Sequence, residues 1–248
     1  MHPLVLLHAF PFSSAMWYPQ RAGLEPLGVR ILGHDQRGFA NGAADPSSYS
    51  LDDVADDVAR FLDAEKLDRV VLGGLSMGGY VALRFLARHP GRLAGPILSD
   101  TKATPDTEEG KKNRAALAAK VRAEGAGAAI QATMAKLLAP RTIAERPEIA
   151  GFVRGLGETR GREAVARGLE AMAARPDSTA DLARAKVPVL IIVGAEDSLT
   201  VPSDAEAMAR AHPAARLRKL PGAGHLANLE DPLGWNRAVL SFLLDVAI

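Results

Sequence analysis

Residues 74–78 (GLSMG) constrain the fold more than any other part of this sequence. They follow residues 69–72 (RVVL), an aliphatic and β-branched run that is typical of a buried strand. They precede residues 79–90, where apolar side chains recur at helical spacing until Pro90 ends the pattern. A serine between glycines at a strand-to-helix corner is a nucleophile elbow, a turn so tight that its neighbours must be small. The sequence therefore predicts that the Ser76 hydroxyl stands above the end of a strand.

A serine hydroxyl is a weak nucleophile, so it needs a histidine base and an acid that orients the histidine. Residues 189–193 (VLIIV) predict a buried strand, and Asp197 follows it in a loop. Residues 215–220 alternate like a further strand and lead into a glycine-rich loop that ends at His225. Catalytic side chains of open α/β sheets collect beyond the strand ends. We therefore predict a catalytic group of Ser76, Asp197 and His225, with Glu196 as a competing acid.

An acyl-transfer site also needs two N–H groups aimed at the developing negative charge. The residue after the nucleophile supplies one of them, which is Met77 here. The second N–H group comes from the loop that follows the first predicted strand, which covers residues 3–7, and within that loop the N–H of Phe10 is the best placed. We interpret His8, in the same loop, as a structural residue that holds the loop by hydrogen bonds.

These motifs resemble those of the α/β-hydrolase superfamily, and within it the small bacterial esterases and 3-oxoadipate enol-lactonases. The resemblance runs through residues 8–11 (HAFP), 35–39 (DQRGF), 74–79, 194–197, 201–202 and 222–225. It implies an α/β fold with a mostly parallel sheet of about six strands flanked by helices. It also favours Asp197 over Glu196 as the acid, and it implies a structural ion pair for Arg37. Ala9 departs from the pattern, because the family usually has glycine there.

Residues 101–186 interrupt the alternation of strands and helices. Four stretches of this region predict helices, at residues 115–121, 128–138, 148–156 and 162–174, and no strand pattern appears. The resemblance implies that this region is a helical cap inserted before the strand at Val189. We therefore expect a hydrolase core of residues 1–100 and 187–248 and a cap of residues 101–186.

The cap is expected to determine the substrate. We expect the apolar residues Phe12, Met134, Leu138, Met172 and Leu199 to line the substrate pocket. Residues 101–186 carry 16 lysines and arginines against 11 aspartates and glutamates. We interpret this excess as solvated helix faces balanced by spaced glutamates. Attraction of an anionic substrate by a basic lid is the open alternative.

Composition excludes several functional classes. The chain has no cysteine, so disulfides and thiolate metal sites are impossible. A net charge of +1 with no basic cluster gives no support for nucleic-acid binding. No apolar run is long enough to cross a membrane, and no signal-peptide pattern is present, so a cytoplasmic location is the default expectation. We expect no cofactor and no metal, and the sequence leaves the oligomeric state open.

The resemblance implies a serine hydrolase that cleaves carboxylic esters or lactones of small molecules through a Ser-His-Asp triad and an acyl-enzyme. Two alternatives on the same triad stay open, namely a carbon–carbon bond hydrolase or lyase and a perhydrolase. A third alternative is a non-enzymatic ligand sensor with a vestigial triad, since a fold does not by itself fix a function.

Overall fold

Six parallel strands form one sheet at the centre of the computed structural model, which describes residues 1–246. The strands are β1 (Leu4–Leu7), β2 (Ile31–His34), β3 (Val70–Leu75), β4 (Leu93–Ser99), β5 (Leu190–Gly194) and β6 (Arg216–Leu220). Their order across the sheet is β2-β1-β3-β4-β5-β6, and every neighbouring pair is parallel. This architecture confirms the predicted parallel sheet of about six strands.

Helices surround this sheet. Those of the described part of the chain are α1 (Tyr18–Leu24), α2 (Leu51–Ala64), α3 (Met77–Arg88), α4 (Glu108–Glu124), α5 (Gly127–Leu137), α6 (Pro140–Glu145), α7 (Pro147–Glu158), α8 (Arg162–Ala173), α9 (Thr179–Ala183), α10 (Pro202–Ala211), α11 (Ala227–Glu230) and α12 (Pro232–Asp245). Short 3-10 turns occupy Ser14–Trp17, Glu25–Leu27 and Pro90–Arg92. Residues 101–186 contain α4 to α9 and no strand, as the sequence predicts.

The four central strands of the sheet, β1, β3, β4 and β5, are buried on both faces. Side chains alternate between the two faces of a strand, so Val5 and Leu7 contribute to one hydrophobic cluster while Leu4 and Leu6 contribute to the other. The first cluster contains the inner faces of α2 and α3. The second contains residues of α1 and α12, and it includes Trp17 and Trp235, whose rings lie 5.4 Å apart. Burial on both faces explains why the central strands are continuously apolar.

The helical segment of residues 101–186 packs directly on the sheet layer. Val121, Val165 and Leu169 belong to the same buried cluster as Phe39 and Val81 of the rest of the chain. Ion pairs join α4 to α8, where the guanidinium group of Arg122 donates to Glu163 and Glu170 at 2.7–2.9 Å. These pairs agree with the interpretation of the basic residues as helix faces balanced by glutamates. Because the hydrophobic core continues across residue 100, the division into core and cap stays a prediction.

Candidate active site

Ser76 occupies the tight turn between β3 and α3. Its backbone has φ 53° and ψ −111°, a conformation that is strained for a residue with a side chain. A Cβ added to Gly74 would lie 2.1 Å from the carbonyl oxygen of Gly78, and one added to Gly78 would lie 2.2 Å from the carbonyl oxygen of Leu7. Only glycine therefore fits on either side of the serine. The turn leaves Ser76 half-buried beyond the carboxyl end of β3.

Asp197 and His225 form a buried pair beyond the ends of the next strands. Asp197 lies three residues after β5, and His225 lies in the loop after β6. The Nδ1 atom of His225 is 2.8 Å from Oδ2 of Asp197, and both side chains are almost fully buried. Glu196, the competing acid, is exposed. The structure thus places Asp197, and not Glu196, against the histidine.

Hydrogen bonds hold the Asp197 carboxylate in its ionised form. Oδ1 accepts the N–H groups of Leu199 at 2.8 Å and Thr200 at 3.1 Å, and Oδ2 accepts the Thr200 hydroxyl at 2.7 Å. Burial raises the pKa of Asp197, but the charge of His225 and these hydrogen bonds outweigh it, so the pKa lies below its ordinary value. An ionised carboxylate only accepts hydrogen bonds, so Nδ1 of His225 donates to it, and in the neutral ring Nε2 is then the acceptor.

A second buried acid, which the sequence analysis did not single out, lies beside this pair. Asp100 follows β4 with φ 44° and is fully buried. Its carboxyl group accepts the Gly194 N–H and the Ser99 hydroxyl, each at 2.8 Å. Burial and the negative charge of Asp197 raise the pKa of Asp100 well above its ordinary value. Through its bond to the Gly194 N–H, Asp100 braces the start of the Asp197 loop.

Two backbone N–H groups near Ser76 are available for an oxyanion. Met77 is the first residue of α3, a position whose N–H has no acceptor within a helix. Phe10 lies in the loop after β1, which is closed by a 2.9 Å bond from the Phe12 N–H to the Ala9 carbonyl. Within residues 1–246, no hydrogen bond engages the N–H of Phe10 or of Met77. Both predicted donors are thus unoccupied in the part of the chain that the structure describes.

The loop that carries Phe10 is held by His8. Nδ1 of His8 lies 2.9 Å from the Ala9 carbonyl oxygen, and Nε2 accepts the Gln36 N–H at 3.0 Å. The Gln36 side chain returns a 2.8 Å bond to the His8 carbonyl. Burial lowers the pKa of His8 to about 4, so its ring is neutral at pH 7. His8 is structural, as predicted, and so is Arg37, which pairs with Asp57.

Ser76 and His225 line one cavity of about 270 Å³. Phe10, Leu199 and Thr200 complete this side of its wall, and α4, α5 and α8 form the opposite side. Small-molecule sites span about 300–1,000 Å³, so this cavity suits a small ligand. It brings together the predicted nucleophile, the predicted base and the loop of one predicted oxyanion donor.

The predicted pocket residues divide into two groups. Met172 and Leu199 line the cavity. Phe12 and Leu138 are buried in a hydrophobic cluster, Met134 packs against that cluster, and none of the three lies in the cavity wall. On α5 the side chains that reach the cavity are Thr133 and Leu137. Placing Phe12, Met134 and Leu138 in the pocket was therefore wrong. Consecutive helix residues point about 100° apart, so an error of one residue turns a side chain away from the cavity.

Glu230 is a further residue that sequence reasoning missed. Its side chain, 5% exposed, accepts the N–H of Gly224 and the N–H of Ala139, both at 2.8 Å. A third bond joins the Leu226 N–H to the Leu137 carbonyl at 3.0 Å. The residues on either side of the histidine are thus tied to the helical segment. A carboxylate five positions after the histidine, on the short helix α11, is the only signal that the sequence gives.

Comparisons with known proteins identify the class to which this fold and site belong. The chain matches the α/β hydrolase fold family over residues 2–232, and it belongs to that family. Among solved structures it is similar to a thermophilic esterase from Thermogutta terrifontis, with 38% identity and a TM-score of 0.95, covering 99% of this chain and 90% of the esterase. The expected resemblance to this superfamily is therefore confirmed.

Two further proteins point to the same group. One is the crystal structure of the enol-lactonase from Burkholderia xenovorans LB400, with 28% identity and a TM-score of 0.89, covering 98% of this chain and 92% of that enzyme. The other is 3-oxoadipate enol-lactonase 2 from Acinetobacter baylyi, 27% identical, covering 95% of this chain and 86% of that protein. Among residues 1–246, no helix is both long and apolar enough to cross a membrane.

Proposed function

We propose that this protein is a carboxylic ester hydrolase that cleaves esters or lactones of small molecules through Ser76, His225 and Asp197. The observation that carries the proposal is the buried His225–Asp197 pair, whose histidine shares a cavity with the serine of a strained turn. Similarity to an esterase and to enol-lactonases over nearly the whole chain supports hydrolysis of a carboxylic ester bond.

The reaction begins when Nε2 of His225 takes the proton of the Ser76 hydroxyl as its oxygen attacks the carbonyl carbon. The carbonyl π electrons move to oxygen, and the N–H groups of Phe10 and Met77 bind the resulting oxyanion. Asp197 keeps the ring in the required tautomer and stabilises the imidazolium that forms. Collapse of the intermediate expels the alcohol or enol, which takes the proton from His225, and leaves an acyl-enzyme.

Water completes the cycle by the same steps in a second round. His225 takes a proton from the water as it attacks the acyl carbonyl, and it returns that proton to Ser76 when the acid leaves. The helical segment of residues 101–186 acts as a cap in this proposal, because α4, α5 and α8 form the cavity wall opposite Ser76. This wall limits access to the cavity and sets the size of the substrate.

The test is steady-state hydrolysis of 4-nitrophenyl acetate and of a panel of small esters and lactones. We expect Ser76→Ala to lose at least about 1,000-fold in kcat, because the covalent route is removed. Ser241→Ala, at an exposed position on α12, is the matched control and should behave like the native chain. A Ser76→Ala variant that keeps a tenth of the native rate would overturn the assignment of the nucleophile. Cleavage of dienoate-type ketones without ester cleavage would assign the site to carbon–carbon bond hydrolysis.

A further inference from the structure

The cavity that holds Ser76 has two charged side chains in its wall, Asp106 and Arg114, and a third charged residue, Arg175, bonds to Asp106 from outside the wall. Asp106, which precedes α4, accepts hydrogen bonds from Arg114 on α4 and from Arg175 after α8. Arg175 also stacks over the ring of Tyr80, with its guanidinium carbon 4.0 Å from the ring centre. Tyr80 lies one helical turn after Ser76, and its N–H donates to the Ser76 carbonyl at 3.1 Å. Tyr80 thus contacts both the charged cluster, through its ring, and the backbone of Ser76.

The cluster carries an unbalanced positive charge. Both oxygens of Asp106 are occupied, Oδ1 by Arg175 and Oδ2 by Arg114. Burial raises the pKa of Asp106, but the hydrogen bonds from the two arginines outweigh it and lower the pKa, so Asp106 is ionised. One carboxylate therefore faces two guanidinium groups. The charges of these three side chains therefore sum to +1. Asp106 is the one acidic side chain in the cavity wall among residues 1–246.

The two arginines are not equivalent. The Arg175 side chain is 3% exposed, and its terminal nitrogens bond to two backbone carbonyls and to Asp106. The Arg114 side chain is 24% exposed and lies in the cavity wall. Its Nε binds Asp106, and its Nη1 is 3.5 Å from the sulfur of Met172, a weak acceptor. Within residues 1–246, neither terminal nitrogen of Arg114 bonds to an oxygen atom.

From this geometry we infer that Arg114 binds a carboxylate at the non-reacting end of the substrate, so that the preferred substrates are small esters or lactones bearing one negative charge. The inference rests on the proposed function and adds the substrate class. The terminal nitrogens of a guanidinium form a fork that matches a carboxylate in geometry and charge. Asn113, an exposed residue beside Arg114, adds an amide to the same wall. This end of the cavity is partly open, so the ligand carboxylate keeps part of its hydration and loses little solvation energy on binding.

The experiment compares anionic esters with neutral amides of the same shape. In the first pair, monomethyl glutarate and methyl glutaramate, the carboxylate or amide lies on the acyl side of the ester. In the second pair, O-acetylglycolate and O-acetylglycolamide, the carboxylate or amide lies on the alcohol side. The ratio of kcat/KM within each pair is measured by titration of the released acid. In the native chain we expect the anionic member of at least one pair to be preferred by roughly tenfold or more.

The variants assign that preference to one side chain. We expect Arg114→Gln to lower the anion-to-amide ratio roughly 10- to 100-fold, since a hydrogen bond to a charged group is lost. Arg114→Lys, which keeps the charge, should lower it less. Lys120→Gln removes one positive charge from the same helix at a side chain that is 49% exposed and outside the cavity wall, so its ratio should match that of the native chain.

The native chain provides a second measure that needs no variant. Raising the ionic strength from about 0.01 M to 1 M shortens the Debye length from about 30 Å to 3 Å, so the anion preference should shrink. Absence of a preference in both ester pairs, or an unchanged ratio in Arg114→Gln, would overturn the anion site. Hydrolysis of 4-nitrophenyl acetate separates the two proposals. Failure of the native chain on this ester and on both ester pairs refutes the hydrolase, whereas hydrolysis without an anion preference refutes the Arg114 site alone.

Discussion

Replacing Asp197 with asparagine is expected to put the His225 proton on the wrong nitrogen. Oδ1 of Asp197 accepts two backbone N–H groups, so the amide oxygen of an asparagine must take that position. The amide NH₂ then occupies the place of Oδ2, 2.8 Å from Nδ1 of His225. Two donors cannot face each other, so Nδ1 becomes an acceptor and the proton moves to Nε2. In this tautomer His225 cannot take the proton of Ser76.

The expected cost of this tautomer change is about 10⁴-fold in kcat, or about 5.5 kcal/mol at about 1.36 kcal/mol per tenfold. The assay is steady-state hydrolysis of 4-nitrophenyl acetate, with thermal unfolding measured in parallel to show that the variant is folded. Glu196→Gln is the matched control, because the neighbouring side chain is exposed and should change the rate little. A folded Asp197→Asn variant that keeps more than a tenth of the native rate would show that Asp197 does not set the catalytic tautomer of His225.

Three more predictions concern the residues that hold the site in place. Gly78→Ala should lower the free energy of unfolding by several kcal/mol or prevent folding, since its Cβ would meet a backbone oxygen at 2.2 Å. Gly91 has open space around it, so Gly91→Ala should change the free energy of unfolding little, as measured by chemical denaturation. The pKa of His8 is about 4 in the folded protein against 6.5 ordinarily, so the unfolded chain binds the extra proton. The free energy of unfolding should therefore fall by about 3 kcal/mol as the pH drops from about 6.5 to 4, and a His8→Asn variant should lack that component in pH-dependent denaturation. Glu230→Gln leaves one of two buried N–H groups without an acceptor, so it should cost about 1–3 kcal/mol in unfolding free energy and lower kcat/KM, while Glu148→Gln on an exposed side chain should do neither.

Local sequence patterns were sufficient for the strands and for the three residues of the proposed triad. Ser76 and Asp197 follow strands that their apolar residues predict, and His225 follows one that its alternating pattern predicts. Parallel strands bring their ends to one edge. Strand bounds were less accurate. The pattern predicts a strand at residues 69–72, whereas β3 covers Val70–Leu75, because pairing with β1 and β4 extends the strand through the two glycines that follow its apolar run.

The supporting residues and the cavity wall depend on tertiary contacts, which leave little local signal. Asp100 and Glu230 act through backbone N–H groups that are distant in sequence, 94 residues away for Asp100 and 91 residues away for Glu230. Met134 and Leu138 lie directly beside Thr133 and Leu137, and apolarity alone does not tell which of the four line the cavity. Arg114 is similarly one of many arginines in its segment until its neighbours are known.

Covalent labelling of the native chain with a fluorophosphonate, read by intact-protein mass, tests directly whether Ser76 is an activated nucleophile. We expect a single stoichiometric adduct on the native chain and on Ser241→Ala, and none on Ser76→Ala, because only an activated serine beside an oxyanion hole reacts. An adduct that persists on Ser76→Ala, or a folded native chain that takes no label while it hydrolyses 4-nitrophenyl acetate, would contradict this expectation.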